Sequence, residues 1–107
     1  MFGTIGRFRP KPGHEEQVRA LHEEWARDIR PTVPGLVVEL WGRPSGRAGE
    51  LVGVVLMRDE ATYRALAARP EQDAWYRRLV VHLAAEPTWE DVAWEAVRAD
   101  AGREVDA

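Results

Sequence analysis

The 107-residue chain has no cysteine, so disulfides, Cys-based zinc sites and thiol catalysis are excluded. It has no asparagine, a single lysine (Lys11) and a single serine (Ser45). Ser45 sits in a glycine-rich connection and makes no serine nucleophile. No apolar run approaches the roughly 18–20 residues that span a bilayer, so no membrane partner is expected. The start, Met1-Phe2-Gly3-Thr4, lacks a basic segment followed by an apolar one. No signal peptide is therefore read, and a cytoplasmic location is the expectation. The net charge is −3, with arginines interleaved among acids along the whole chain. That pattern lacks the basic stripe of a nucleic-acid binder, so nucleic acid is not expected as a partner. His14-Glu15 and His22-Glu23 open like a zinc-protease helix, but Val18 and Ala26 stand where the second histidine is needed. Gly3, Gly6 and Gly13 lack dinucleotide spacing. Neither a metal nor a cofactor is expected.

What is present is a strong alternation of short elements. Residues 2–9 read as a strand with Phe2 and Phe8 on one face and Ile5 on the other. Pro10, Pro12 and Gly13 end it. A helix from near His14 carries Glu15 and Glu16 in its first turn, where carboxylates suit the positive end of the dipole. Val18, Leu21, Trp25 and Ile29 form its apolar stripe, and Pro31 stops it by Arg30. Residues 36–41 and 51–57 form an antiparallel pair joined by a glycine-rich connection. Asp59 is placed as the N-cap of the next helix, whose buried side is Tyr63 and Leu66. Pro70 restarts a helix, with Trp75, Leu79, His82 and Leu83 inside, and Pro87 ends it. Residues 88–97 form the last strand. The order is β-α-β-β-α-β: an α+β, ferredoxin-like, four-stranded antiparallel sheet in one domain over residues 1–98. Residues 99–107 are expected to be a disordered tail.

The strands carry too many apolar residues for a sheet covered on one side. Leu51-Val52-Gly53-Val54-Val55-Leu56-Met57 does not alternate, and Leu36-Val37-Val38-Glu39-Leu40-Trp41 barely does. Two helices cover one face only. A bare apolar face is rare on monomers, so the second face is expected to meet a second copy of the chain, in a symmetric homodimer through the sheet faces.

Three stretches carry a family resemblance over about residues 2–97. They are Pro10-Lys11-Pro12-Gly13 leading into an acidic helix, Val33-Pro34-Gly35-Leu36 entering the second strand, and the Asp59–Leu66 helix opening after an apolar strand. With the element order, they resemble the antibiotic biosynthesis monooxygenase family of the dimeric α/β barrel superfamily. The resemblance implies two facing sheets, with a ligand cavity between sheet and helices in each subunit. It also implies a range of activities that includes cofactor-free, quinone-forming monooxygenases and haem-degrading enzymes. The characterised oxygenases use an asparagine with a tryptophan. The haem-degrading members use an asparagine on strand one, near Gly6 or Arg7 here, with a tryptophan and a histidine on the second helical region. Trp75 and His82 are present, but the asparagine is not.

From the residues themselves, His82 is the candidate catalytic base, since an imidazole titrates near neutral pH. Its plainer reading is a packed core histidine. Trp25, Trp75, Tyr76, His22 and Tyr63 are the candidate substrate-binding residues, an aromatic wall for a small apolar or aromatic molecule. Glu39 and Glu95 interrupt apolar strands. A carboxylate buried there would have a raised pKa and could act as an acid or base, but an ion pair with an arginine across an interface, Arg7 being a possible partner, is the expected role. The function expected first is a cofactor-independent oxygenase acting on a small aromatic or quinol-type substrate. The alternative is a non-catalytic dimer that binds a small ligand, and haem binding through His82 ranks last.

Overall fold

The structure, a computed structural model, describes residues 1–98. The expected tail over 99–107 lies outside them. Strand β1 (Phe2–Phe8) leads to helix α1 (Glu15–Glu24), then β2 (Leu36–Gly42), β3 (Leu51–Met57), helices α2 (Glu60–Ala67) and α3 (Pro70–Val80), and β4 (Thr88–Ala93). The sheet order is β2-β3-β1-β4 and every pairing is antiparallel, the ferredoxin-like α+β arrangement.

Local chemistry places most boundaries. The Asp59 carboxylate accepts the Thr62 backbone N–H at 2.8 Å and caps α2. Pro70 opens α3 in its first turn, where its missing N–H costs nothing. Pro31 does not stop the first helical region at Arg30. The chain widens into a π-helical turn over Trp25–Ile29 and tightens into a 3₁₀ turn over Arg30–Thr32, with the proline in its first positions.

Two elements end earlier than the sequence pattern suggests. Helix α3 stops at Val80, so His82 is not on it. The residues that would have continued the helix are held by the chain leaving β1. The Lys11 N–H donates to the His82 carbonyl at 2.8 Å, the Ala84 N–H donates to the Arg9 carbonyl at 2.7 Å, and Pro10 bridges Leu83. These contacts take the backbone groups that a further helical turn needs. Strand β4 ends at Ala93 rather than at residue 97.

The register divides the sheet cleanly. Phe2, Thr4, Gly6 and Phe8 of β1 face the helices, level with Met57, Val55, Gly53 and Leu51 of β3. Met57, Leu79 and Val18 are fully enclosed in the core beneath them. The other face presents Ile5, Val52, Val54, Val38, Leu40 and Val92, and Leu40 is 56% exposed. Neither helical region covers it. At about 4.8 Å per strand and 3.3 Å per residue, four such strands give a footprint of roughly 400 Å². That is comparable to the largest apolar patches of monomers.

Candidate functional site

Between the helix-facing side of the sheet and the helices lies a cavity of about 380 Å³, within the range of small-molecule sites. Gly6 helps to make room there. A Cβ at this position would sit 2.6 Å from the Trp89 ring, the cross-strand neighbour on β4. Trp89 in turn meets Phe8 edge-on at 5.4 Å and Tyr76 at 6.1 Å. Trp25 comes from the π-helical turn and Trp75 from α3, their rings 6.5 Å apart.

Both tryptophan N–H groups are already used. Trp75 Nε1 donates to the Leu21 carbonyl at 2.7 Å, and Trp25 Nε1 donates to Gln72 Oε1 at 2.7 Å. The second bond fixes the orientation of the Gln72 amide. Its oxygen is occupied, and its NH₂ group remains as a donor at the cavity wall.

His22 is the histidine of this cavity. Its ring stacks on Trp41 at 5.5 Å and meets Phe8 and Trp75 edge-on at 5.4 and 5.7 Å. Nδ1 lies 3.0 Å from the Val18 carbonyl. A carbonyl only accepts, so Nδ1 carries the proton and Nε2 holds the free lone pair. Burial lowers the pKa of His22 below the ordinary 6.5, against the opposing effects of the Val18 hydrogen bond and the Glu23 charge. The ring is therefore a neutral base at physiological pH.

The remaining polar groups come from the sheet and α2. The Tyr63 hydroxyl donates to Asp91 Oδ1 at 3.1 Å. Burial raises its pKa, while Thr4 acts to lower it and Asp91 adds to the rise. Asp91 also pairs with Arg64 at 3.3 Å. Glu39, level with Val55 on β3, faces the cavity. Its pKa is pushed up by burial, with Arg30 opposing and Glu23 adding. Within the described chain neither Glu39 nor Glu95 pairs with Arg7. Arg7 lies on the other face of β1 and pairs with Glu90 at 3.4 Å, while Glu95 is exposed beyond β4.

The five residues expected to bind substrate, Trp25, Trp75, Tyr76, His22 and Tyr63, all line this one cavity. His82, the expected base, does not. It sits beyond α3 with Nδ1 3.0 Å from Nδ1 of His14, next to a shallow surface depression formed with Gln17, Arg77 and Val81. Its neighbour across that contact is the first residue before α1, so the pair ties the two helical regions together at their ends. Gln72, Trp41, Trp89 and Asp91 were missed, and Glu39 was singled out only as a break in its strand. Strand parity carried a signal for the strand residues. Glu39 alternates with Trp41, and Asp91 with Trp89. Gln72 lies three residues before Trp75 on the same helix, the spacing of neighbours on one face. Among the described residues no group of three or more metal-ligating side chains gathers, and no helix is long and apolar enough to cross a membrane.

Comparison with protein-family models finds no match, and neither does comparison with curated proteins. Solved structures do match. A protein described as an antibiotic biosynthesis monooxygenase is 18% identical, with 92% of this chain and 100% of that one covered and a TM-score of 0.74. SnoaB from Streptomyces nogalater, described as a cofactor-independent oxygenase and solved as a point mutant, is 14% identical, with 92% and 97% covered and a TM-score of 0.78. Rv0793 from Mycobacterium tuberculosis is 18% identical, with 92% and 98% covered and a TM-score of 0.79. The expected resemblance is thus present in three dimensions, over nearly the whole of each chain: this protein has the fold of the antibiotic biosynthesis monooxygenases.

Proposed function

We propose that the chain is a cofactor-independent, monooxygenase-like enzyme that oxidises a small aromatic or quinol-type compound in this cavity. The observation that carries the reading is His22, a neutral imidazole with a fixed tautomer and a free Nε2 lone pair, in the wall of an aromatic-lined cavity. The fold shared with a protein named as a cofactor-independent oxygenase supports the reaction class. His82 lies outside the cavity wall, so the role of base passes to His22.

The chemistry balances with dioxygen as the only co-reactant. His22 Nε2 takes the phenolic O–H proton. The Gln72 NH₂, its oxygen tied to Trp25, donates to the resulting phenolate oxygen. The electron-rich phenolate passes one electron to dioxygen. Superoxide and the ring radical then combine at a ring carbon that bears hydrogen. The peroxide takes the proton back from His22. Loss of the ring C–H proton to His22, with cleavage of the O–O bond, forms the second carbonyl. The departing hydroxide takes that proton and leaves as water. One oxygen atom ends in the quinone and one in water.

An oxygen electrode tests this. With purified protein and a panel of hydroquinones and polycyclic phenols, at least one substrate is expected to consume one dioxygen per quinone formed, without added flavin or metal. A panel that gives no uptake above the protein-free rate sinks the reading.

We also propose that the uncovered sheet face is closed by a second copy of the chain. At about 25 cal/mol per Å², a footprint of roughly 400 Å² is worth on the order of 10 kcal/mol to each copy before the costs of association. Light scattering is expected to give twice the chain mass. Ile5→Lys, which places a charge at the centre of that face on β1, is expected to yield a folded monomer. A wild-type monomer at micromolar concentration contradicts the proposal.

A further inference from the structure

The cavity is aromatic, as a site for a flat ligand would be, but its charge is one-sided. Three carboxylates line it, Glu39, Asp73 and Asp91, and among the described residues no lysine or arginine does. Two of the three are already compensated. Asp91 pairs with Arg64 at 3.3 Å, and Asp73 with Arg77 at 2.9 Å. Glu39 makes no ion pair among the described residues. It stands half-buried on the sheet floor, two residues from Trp41 on the same face of β2.

We infer that the cavity selects a cationic aromatic ligand, a flat ring system bearing a protonated amine, with Glu39 as its counter-ion and the Trp41 ring beside it. A half-buried carboxylate without a partner is costly, and a ligand ammonium removes that cost. The faces of tryptophan rings attract the same charge. The raised pKa of Glu39 reports the same burial, which the Arg30 charge offsets only in part. An anionic ligand meets the opposite situation. It loses its hydration and meets the unpaired Glu39 carboxylate beside a neutral His22, with no lysine or arginine at the wall. This excludes carboxylated or phosphorylated aromatics and narrows the phenols of the proposed reaction to amine-bearing ones.

The inference rests on the cavity being the substrate site, and it is read by binding, without turnover. Three flat probes of similar size separate charge from shape: 9-aminoacridine (cation), acridine (neutral) and anthracene-9-carboxylate (anion). Titration calorimetry at about pH 8, where the carboxylates are ionised, is expected to show the cation binding at least about tenfold tighter than acridine, with the anion weakest. Glu39→Gln keeps the shape and removes the charge. It is expected to erase most of the cation's advantage while leaving acridine affinity unchanged, and Glu39→Asp is expected to retain part of it. An anion that binds as well as the cation overturns the inference. So does a Glu39→Gln variant with an unchanged cation-to-neutral ratio, or a cavity that takes none of the three probes. Cation-selective binding with no oxygen uptake from any amine-bearing phenol leaves this inference standing and removes the proposed reaction.

Discussion

Trp75→Ala is expected to lower the unfolding free energy by about 3–5 kcal/mol, the usual cost of deleting a buried tryptophan ring. Total stabilities of about 5–15 kcal/mol leave little margin for such a loss. Three contributions combine at this residue. The ring is 7% exposed and packs in the core cluster with Leu21, Trp25 and Leu79. It meets the edge of His22 at 5.7 Å, so it also fixes the wall of the cavity. Its Nε1–H donates at 2.7 Å to the Leu21 carbonyl, just before α1 gives way to the π-helical turn. Removing the ring leaves the Leu21 carbonyl with only the Trp25 backbone N–H as donor, and the turn beneath Trp25 without its brace. Trp75→Phe separates the contributions. It keeps most of the burial and loses the hydrogen bond, and is expected to cost about 1–3 kcal/mol. Urea titration checks both variants. The midpoint should fall in the order wild type, phenylalanine, alanine, with a shared slope. An alanine variant within about 1 kcal/mol of wild type would show that Trp75 is not the link between α1 and α3.

Sequence reasoning reached the fold because the fold rests on signals that are local. Asp59 caps α2 through its own neighbour Thr62, and Pro70 opens α3 wherever that helix lies. The unbroken apolar run of β3 marked both faces of the sheet as apolar, before any register was known. The site was only half legible because it depends on contacts between distant elements. Periodicity places His82 on one face with Trp75, seven residues earlier. It cannot see that Lys11 and Arg9, about seventy residues away in sequence, hold the backbone at His82 and Ala84 and end the helix first. Glu39 shows the same limit. Its strand interruption marked it as unusual and parity placed it beside Trp41. That Arg7 points to the opposite side of the sheet follows only from the pairing of β1 with β3 and β4. The absence of asparagine was visible at once. The Gln72 amide became visible only when Trp25, from the far end of the first helical region, was found donating to it.

If His22 is the base, His22→Leu should lower kcat by about 10²–10⁴ on any phenol the wild-type protein oxidises, the usual worth of a positioned general base. It should leave ligand affinity nearly unchanged, because the apolar wall survives. The pH dependence gives the more specific signature. Burial depresses the pKa of His22 below 6.5 in the folded chain. The base stays unprotonated further into acid than an exposed histidine would, so the acid limb of kcat/KM against pH should fall below pH 6.5 and disappear in the leucine variant. Stability must follow the same group. Below pH 6.5 the unfolded chain takes up the proton and the folded chain does not, so the unfolded state binds more protons and stability falls as pH drops. The stabilising contribution is complete above 6.5 and is lost as pH falls toward the depressed folded value. Urea midpoints of wild type and His22→Leu, compared across that window, should show the wild type losing more stability on acidification. An acid limb that remains in the variant would assign the proton to another group, and Glu39, with its raised pKa on the same cavity floor, would be the next to test.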